Sequence, residues 1–420
     1  MNIREKLARL DSARPAQPPA AEPARFSEGA ESWIETLRYE LGLTVLQEDR
    51  SFILLKENYY PAYNDPVFAE LQANGFEVPA LRQISGDLPV DSPNLKRALF
   101  LDAETTGLAG GTGTYAFLVG IGHLEADHIV VRQYLLPDFI YEWLMLKHLD
   151  QALRQFNFTV TFNGKSFDIP LLKNRYILNR MVSALEEMPH ADMLHAARRI
   201  WRRRLPACDL QTLEAHILNI DRAGDIPGDA IPHIYFEFIR KRDTLLLRDV
   251  LEHNFHDVAH MALLTLRICA ICQAPGRHLA YPQDYYCLAS YFFQAKRYRE
   301  AIPLLEALLG RLSPGDAELV TGTLFLLSLS HKKTGDSARA KQYLENLLER
   351  RVFHPGIIEE LAKFYEHEDK DYAGAGEIVE KGLQYLETVR QLDPRSELLR
   401  FLPGLKHRYQ RLRRKLARKE

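Results

Sequence analysis

From Ala98 onward the chain alternates short, β-branched apolar runs with Gly-rich or polar breaks: RALFLDAE, TYAFLVGIGHL and HIVVRQYLL. Runs of this length bounded by turn residues predict three consecutive antiparallel strands. A helical pattern (YEWLMLKHLDQALRQF), a further strand (FTVTFN), a helix after FDIP and a helix-rich stretch to Cys272 follow. Strands first, with helices around them, predict an α/β domain with a mixed sheet over residues 98–272. Ahead of it, residues 30–97 combine a helical pattern (ESWIETLRYELG) with a strand-like run (SFILLKENYY), and are expected to form an extension packed on this domain. Residues 1–29 pass into ARPAQPPAAEPARF, whose Pro and Ala content suits a disordered segment.

Past residue 283 the strand pattern disappears, and helical pairs recur around Tyr298-Arg-Glu-Ala301, Ser337-Ala-Arg-Ala340 and Tyr372-Ala-Gly-Ala375. Their spacings of 39 and 35 residues are close to the ~34 of tetratricopeptide repeats. Small residues recur where paired helices must approach, which favours an all-α repeat array over residues 283–400 above an irregular helical bundle. Such an array is a candidate surface for a protein partner.

At 420 residues with 46% hydrophobic content, the chain is long enough for two or more packed domains. Its net charge of -2 argues against nucleic-acid binding by the whole surface, so any such partner must meet local basic patches. One is the tail at 401–420, which ends LKHRYQRLRRKLARKE and is expected to be a basic helix. Phosphates, a partner protein and ribosomal RNA are its alternative targets. Another is IWRRRL, where Trp201 stands among Arg198, Arg199 and Arg202 to Arg204 and offers phosphate contacts with an aromatic surface, or simply a solvated basic face. No apolar run approaches the roughly 20 residues of a membrane span, and MNIREKLARLDSARP lacks a secretory stretch, so a cytoplasmic protein without a membrane partner is expected. Four cysteines are too few for a disulfide framework, and Cys269 with Cys272 reads as core packing rather than half a zinc site.

Candidate chemistry begins with FLDAETTGL at 100–108. Residues i and i+2 of a strand share a face, so Asp102 and Glu104 project together. Two adjacent carboxylates repel, and a hard divalent cation would relieve them; two solvated acids at a strand end are the plainer reading. In FNGKSFDIPLLKNRY, Asp168 falls at a helix start, where it is either a cap or a ligand. In VLEHNFHDVAHMALL, His253 and Asp257 lie i, i+4 on one helix face. Glycines 110, 111 and 113 in LAGGTGTYAF lead into a strand and lack the Lys-Ser/Thr of a phosphate loop, so they read as a turn. The group His190, Asp192 and His195 offers metal-binding atoms, but Asp192 as the cap of the LHAARRIW helix is the simpler account.

DxETTGL, then NxxxFD, then a helix carrying an Asp with a basic partner four residues earlier resembles the three motifs of the RNase H-like DEDD (DnaQ-like) 3′-5′ exonuclease superfamily. HADMLHAARRIW, LPACDLQTLEAHIL and DIPGDAIPHIYFEFI resemble its YprB-like branch. The resemblance covers most of residues 30–272 and implies an α/β RNase H-like domain followed by an all-α, TPR-like domain. It further implies that Asp102, Glu104, Asp168 and Asp257 hold two Mg²⁺ or Mn²⁺, and that Thr105, Thr106, Gly107, Leu108, Asn163, Lys165 and Phe167 receive the terminal nucleotide of single-stranded DNA or RNA. Better-known branches have Tyr four residues before the last Asp or His five before it; here His253 is four before, and it is the expected water-activating base, with His256 as competitor. A scaffold with a vestigial nuclease module is the alternative function.

Overall fold

The computed structural model describes residues 28–85, 88–107, 113–245, 247–313, 315–352 and 354–418. They form two compact units that divide between Ala274 and Pro275.

The first unit opens with helix α1 (Glu28–Leu41), then strands β1 (Thr44–Glu48) and β2 (Ser51–Pro61) and short helices α2 (Pro66–Ala73) and α3 (Pro79–Ile84). Strands β3 (Ala98–Thr105), β4 (Ala116–Leu124) and β5 (His128–Leu135) follow, then α4 (Glu142–Leu153), β6 (Phe158–Thr161), α5 (Asp168–Leu178), β7 (His190–Asp192) and α6 (Met193–Trp201). A short helix α7 (Leu210–Leu213) widens into a π turn (Glu214–Leu218), ahead of α8 (Ile231–Lys241) and the long α9 (Leu247–Gln273).

Seven strands make one mixed sheet in the order β1-β2-β5-β4-β3-β6-β7. The β3, β4 and β5 pairings are antiparallel, whereas β6 and β7 join parallel beside β3. Strands β1 and β2, from the stretch read as an extension, belong to this same sheet: β2 pairs with β5 from Leu54–Leu135 to Pro61–His128.

Alternation along β3 sorts its two faces. Leu99 and Leu101 enter the main core with Phe117, Leu149, Leu172 and Tyr235, while Asp102 and Glu104 turn to the other face. Helix α9 packs across β3, β4 and β5 on that face. Its approach depends on two glycines of β4. A Cβ on Gly120 would collide with the Asn254 side chain, and one on Gly122 would come 2.6 Å from Val258 Cγ1. β3 pairs with β6 only from Ala98 to Phe100, so its acidic end runs past the parallel strand into a crevice at the carboxyl edge.

Contrary to the expectation from sequence, α9 is long and apolar enough, by length and composition, to cross a bilayer. The apolar window is 72% buried inside the unit, which makes α9 its core helix.

The second unit is helical: α10 (Pro275–His278), α11 (Pro282–Gln294), α12 (Tyr298–Leu309), α13 (Ala317–Thr334), α14 (Ser337–Glu349), α15 (Pro355–His367), α16 (Tyr372–Leu392) and α17 (Leu402–Leu416). Consecutive helices pack in pairs, with Ala301, Ala340 and Ala375 fully buried. The basic tail is helical and not detached, since Leu405 and Leu412 of α17 join the core of α13 to α16. Three of its cations turn inward: Arg408, Arg411 and Lys415 all bond the buried carboxylate of Glu366.

Candidate metal centre

Three elements bring acids together: β3 supplies Asp102 and Glu104, the start of α5 supplies Asp168, and α9 supplies His253 and Asp257. A register shift between Glu104 and Thr105 ends the regular pairing of β3 there, a device that re-aims side chains at strand ends.

Glu104, His253 and Asp257 each present one ligand atom within 4.8 Å of the others. His253 Nε2 lies 3.8 Å from Glu104 Oε1 and 3.5 Å from Asp257 Oδ2. Asp102 and Asp168 stand outside this tight group. Asp102 Oδ2 accepts from Asn254 Nδ2 at 2.8 Å, and Gln133 Nε2 of β5 in turn donates to Asn254 Oδ1 at 3.0 Å. The amides of Asp168 itself and of Ala103, between the two acids of β3, favour the charged form of Asp168. Gly164 lets it settle there, because a Cβ at that position would lie 2.9 Å from Asp168 Oδ2.

Burial, then the charges of Asp257, Glu104 and Asp168, push the Asp102 carboxyl well above the usual range. Burial raises Glu104 to about 7 despite the opposing charges of His253 and Arg222. Asp168 is raised to about 7, again by burial first, with the charges of Asp192 and Asp257 adding to it. Asp257 is raised as well, by burial that outweighs His253 and Arg222. Crowded, desolvated carboxylates of this kind are the donor set a hard divalent cation neutralises. The residues present therefore fit such an ion, with Glu104, Asp257 and His253 closest to holding it.

Arg222 and Asp225, which sequence reasoning missed, complete the site from the loop after the π turn. Arg222 Nη1 bonds Asp257 Oδ1 and lies 3.2 Å from Glu214 Oε1; its Nη2 is 2.7 Å from Asp225 Oδ2 and 3.1 Å from the His253 carbonyl. One oxygen of Asp257 is thereby occupied, leaving Oδ2 to face the cluster. Asp225 Oδ2 is 2.9 Å from His253 Nδ1. This carboxylate is nearer to Nδ1 than the Arg222 Nη2 donor at 3.2 Å and favours the proton there, so that in the neutral ring the lone pair is on Nε2, facing the acids. The rival His256 ring instead stacks on His260, 5.2 Å between centroids, and lines a pocket with Tyr60, Arg222 and Asp225.

Signals for the missed residues existed. Gln133 is a polar residue in a largely apolar strand and Asn254 interrupts an apolar helix face; both are fully buried, where polar groups need partners. Arg222 and Asp225 flank Gly224, which has φ +88°, in a polar turn.

Of the expected nucleotide-binding positions, Thr105 and Thr106 build the turn after β3: Thr105 Oγ1 donates to the Gly107 carbonyl at 3.1 Å and Thr106 Oγ1 accepts from the Tyr115 amide at 3.0 Å. Leu108, with glycines 110 and 111, lies outside the described residues. Asn163, at φ +64°, and Lys165 donate their amides to Asp192 at 2.9 and 3.0 Å. Asp192 also caps α6 through the Leu194 amide, so it fastens the loop that carries Asp168. Phe167 is 56% exposed, an aromatic face beside the acids. His190 is spoken for by Thr161 Oγ1 at 2.7 Å, and burial lowers it to about 4. Cys269 is buried in α9.

An antiparallel β3-β4-β5 sheet continued by parallel strands, with acids at the carboxyl end of β3 and on a helix across it, defines an RNase H-like domain. The chain belongs to the RNase H superfamily, which residues 99–269 match. It is 32% identical over 345 residues to the uncharacterized protein YprB of Bacillus subtilis (strain 168), covering 79% of this chain and 80% of that protein.

Proposed function

We propose that this protein is a metal-dependent 3′-5′ exonuclease that hydrolyses phosphodiester bonds at single-stranded nucleic-acid ends. The observation that carries the reading is the group of Glu104, Asp257 and His253 with Asp102 and Asp168 beside it, the four carboxyls held above the ordinary range. Superfamily membership supports the reaction class. Two Mg²⁺ or Mn²⁺, when bound, would polarise the phosphate and lower the pKa of the attacking water. Asp102, Glu104 and Asp257 would hold one, and Asp102 with Asp168 the other.

The chain's own residues then do the positioning. Gln133 and Asn254 hold Asp102, Arg222 fixes Asp257, and Asp225 keeps His253 in the tautomer that accepts a proton from water at Nε2. Phe167 offers a face for the terminal base and Lys165 a charge for its phosphate. In the second unit, buried alanines at near-regular spacing support a tetratricopeptide-like reading and a role in binding a protein partner.

The test is degradation of 5′-labelled single-stranded DNA and RNA with Mn²⁺, Mg²⁺ or EDTA, beside Asp102→Ala and Asp257→Ala. A metal-dependent ladder shortening from the 3′ end, absent in both variants, is expected. Intact strands in every lane would overturn the reading in favour of a scaffold.

A further inference from the structure

A groove of about 790 Å³ opens at the loop that leads into Asp168, its walls including Asn163, Leu194, Arg198, Arg202 and Pro206. Asn163 ties it to the chemistry, since the next residue, Gly164, is the one against which Asp168 packs. The basic segment around it sorts into two kinds of residue. Trp201 is 1% exposed and belongs to the core, so it is no stacking platform, and Arg199 bonds the Ile84 carbonyl. Arg198 and Arg202, by contrast, are exposed on the groove. At i, i+4 on and just past α6 their side chains start about 5–6 Å apart, on one face. Asp209, the acid on the groove wall, is turned away to cap α7, accepting from the Thr212 amide at 2.9 Å and hydroxyl at 2.8 Å.

We infer that this groove is the track of the single strand behind its scissile end, with successive backbone phosphates on Arg198 and Arg202. The inference rests on the nuclease reading for the direction of the strand. Charge complementarity selects the occupant: two guanidinium groups bind phosphates without regard to sequence. Leu194 and Pro206 offer apolar wall to the bases, while the crowded acids beyond Asn163 repel phosphate unless cations cover them.

Strand affinity is measured by fluorescence anisotropy of a labelled single-stranded oligonucleotide, in an Asp102→Asn background that halts turnover. Adding Arg198→Ala and Arg202→Ala should weaken binding about tenfold and reduce the slope of log affinity against log salt by about 1.4, two contacts at ~0.7 each. The Arg198→Lys/Arg202→Lys pair, which keeps the charge, should retain the slope. Unchanged affinity and slope in the alanine variant, with its melting temperature unaltered, would overturn the track. Hydrolysis of the p-nitrophenyl ester of thymidine 5′-monophosphate by the wild type with Mn²⁺ reports separately on the nuclease reading. An inert ester with arginine-dependent strand binding would sink that reading and leave the groove as a binding site.

Discussion

His253 and Asp225 form a pair in which Nδ1 of the ring lies 2.9 Å from the carboxylate, leaving Nε2 directed at Glu104 and Asp257. The two residues are 28 positions apart, and Asp225 reaches the ring from the loop that also delivers Arg222. The pair fixes which nitrogen faces the acids, and it separates a proton-accepting role for His253 from a purely ligating one.

If His253 accepts the proton from water, His253→Ala lowers kcat by about 10²- to 10⁴-fold and changes Mn²⁺ affinity far less. Asp225→Asn, which frees the ring to turn, lowers kcat about 10- to 100-fold with little effect on KM. Steady-state kinetics and calorimetric Mn²⁺ titration on the same preparations make the comparison. Equal loss of turnover and metal affinity in His253→Ala would instead assign the ring as a ligand.

The raised carboxyls carry a stability consequence whose sign is definite. An acid with a folded pKa above its unfolded one binds protons more tightly when folded, so the metal-free protein loses stability as pH rises from the ordinary carboxylate range through about 7. Asp102→Asn should therefore raise the melting temperature in EDTA at pH 8 by a few degrees while abolishing the further rise that Mn²⁺ gives the wild type. Metal affinity should fall as pH drops below about 7, where Glu104 and Asp168 take up protons. Thermal melts across pH check both, and an Asp102→Asn variant less stable than wild type in EDTA would contradict the first.

Gly120 lets α9 lie against β4, and with it Asn254 against Asp102. Gly120→Ala should cost about 1–3 kcal/mol in urea unfolding through overpacking. It should also lower kcat, because the collision falls on the side chain that holds Asp102. A variant of wild-type stability and turnover would show that α9 yields without moving the site.

In the second unit, burial would raise the Glu366 carboxyl, but hydrogen bonds and charge from Arg411 and Lys415 hold it at about 2. The depressed pKa gives stability that is present above the ordinary carboxylate range and lost as pH falls through about 2. Glu366→Gln should destabilise this unit at pH 7 by on the order of 1–3 kcal/mol, less than a fully buried pair, since Arg411 and Lys415 are more than a third exposed. Far-ultraviolet circular dichroism during acid titration checks it: the wild type should lose helix at a lower pH than a destabilised variant such as Glu366→Gln.

What local periodicity encodes was readable without the structure. Asp102 with Glu104, two apart on a strand, and His253 with Asp257, four apart on a helix, share their faces because strand and helix geometry leaves no alternative. The start of a helix at Asp168 followed from the turn before it. Contacts made across long stretches of chain were not readable. Arg222 meets Asp257 35 positions away, Gln133 meets Asn254 121 away, and Glu366 meets Lys415 49 away. Trp201 looked like a surface aromatic among arginines because the pattern does not say which side of a short amphipathic helix faces the core. The strand-like SFILLKENYY gave no indication that β2 would pair with β1 on one side and with the distant β5 on the other.

The most direct measurement is calorimetric titration of Mn²⁺ into metal-free wild-type protein and Asp102→Asn at pH 7.5. Binding of close to two ions by the wild type, with at least one site lost in the variant, is expected of a cluster built to hold cations for phosphodiester hydrolysis. No binding to the wild type, or identical binding by both proteins, would contradict it.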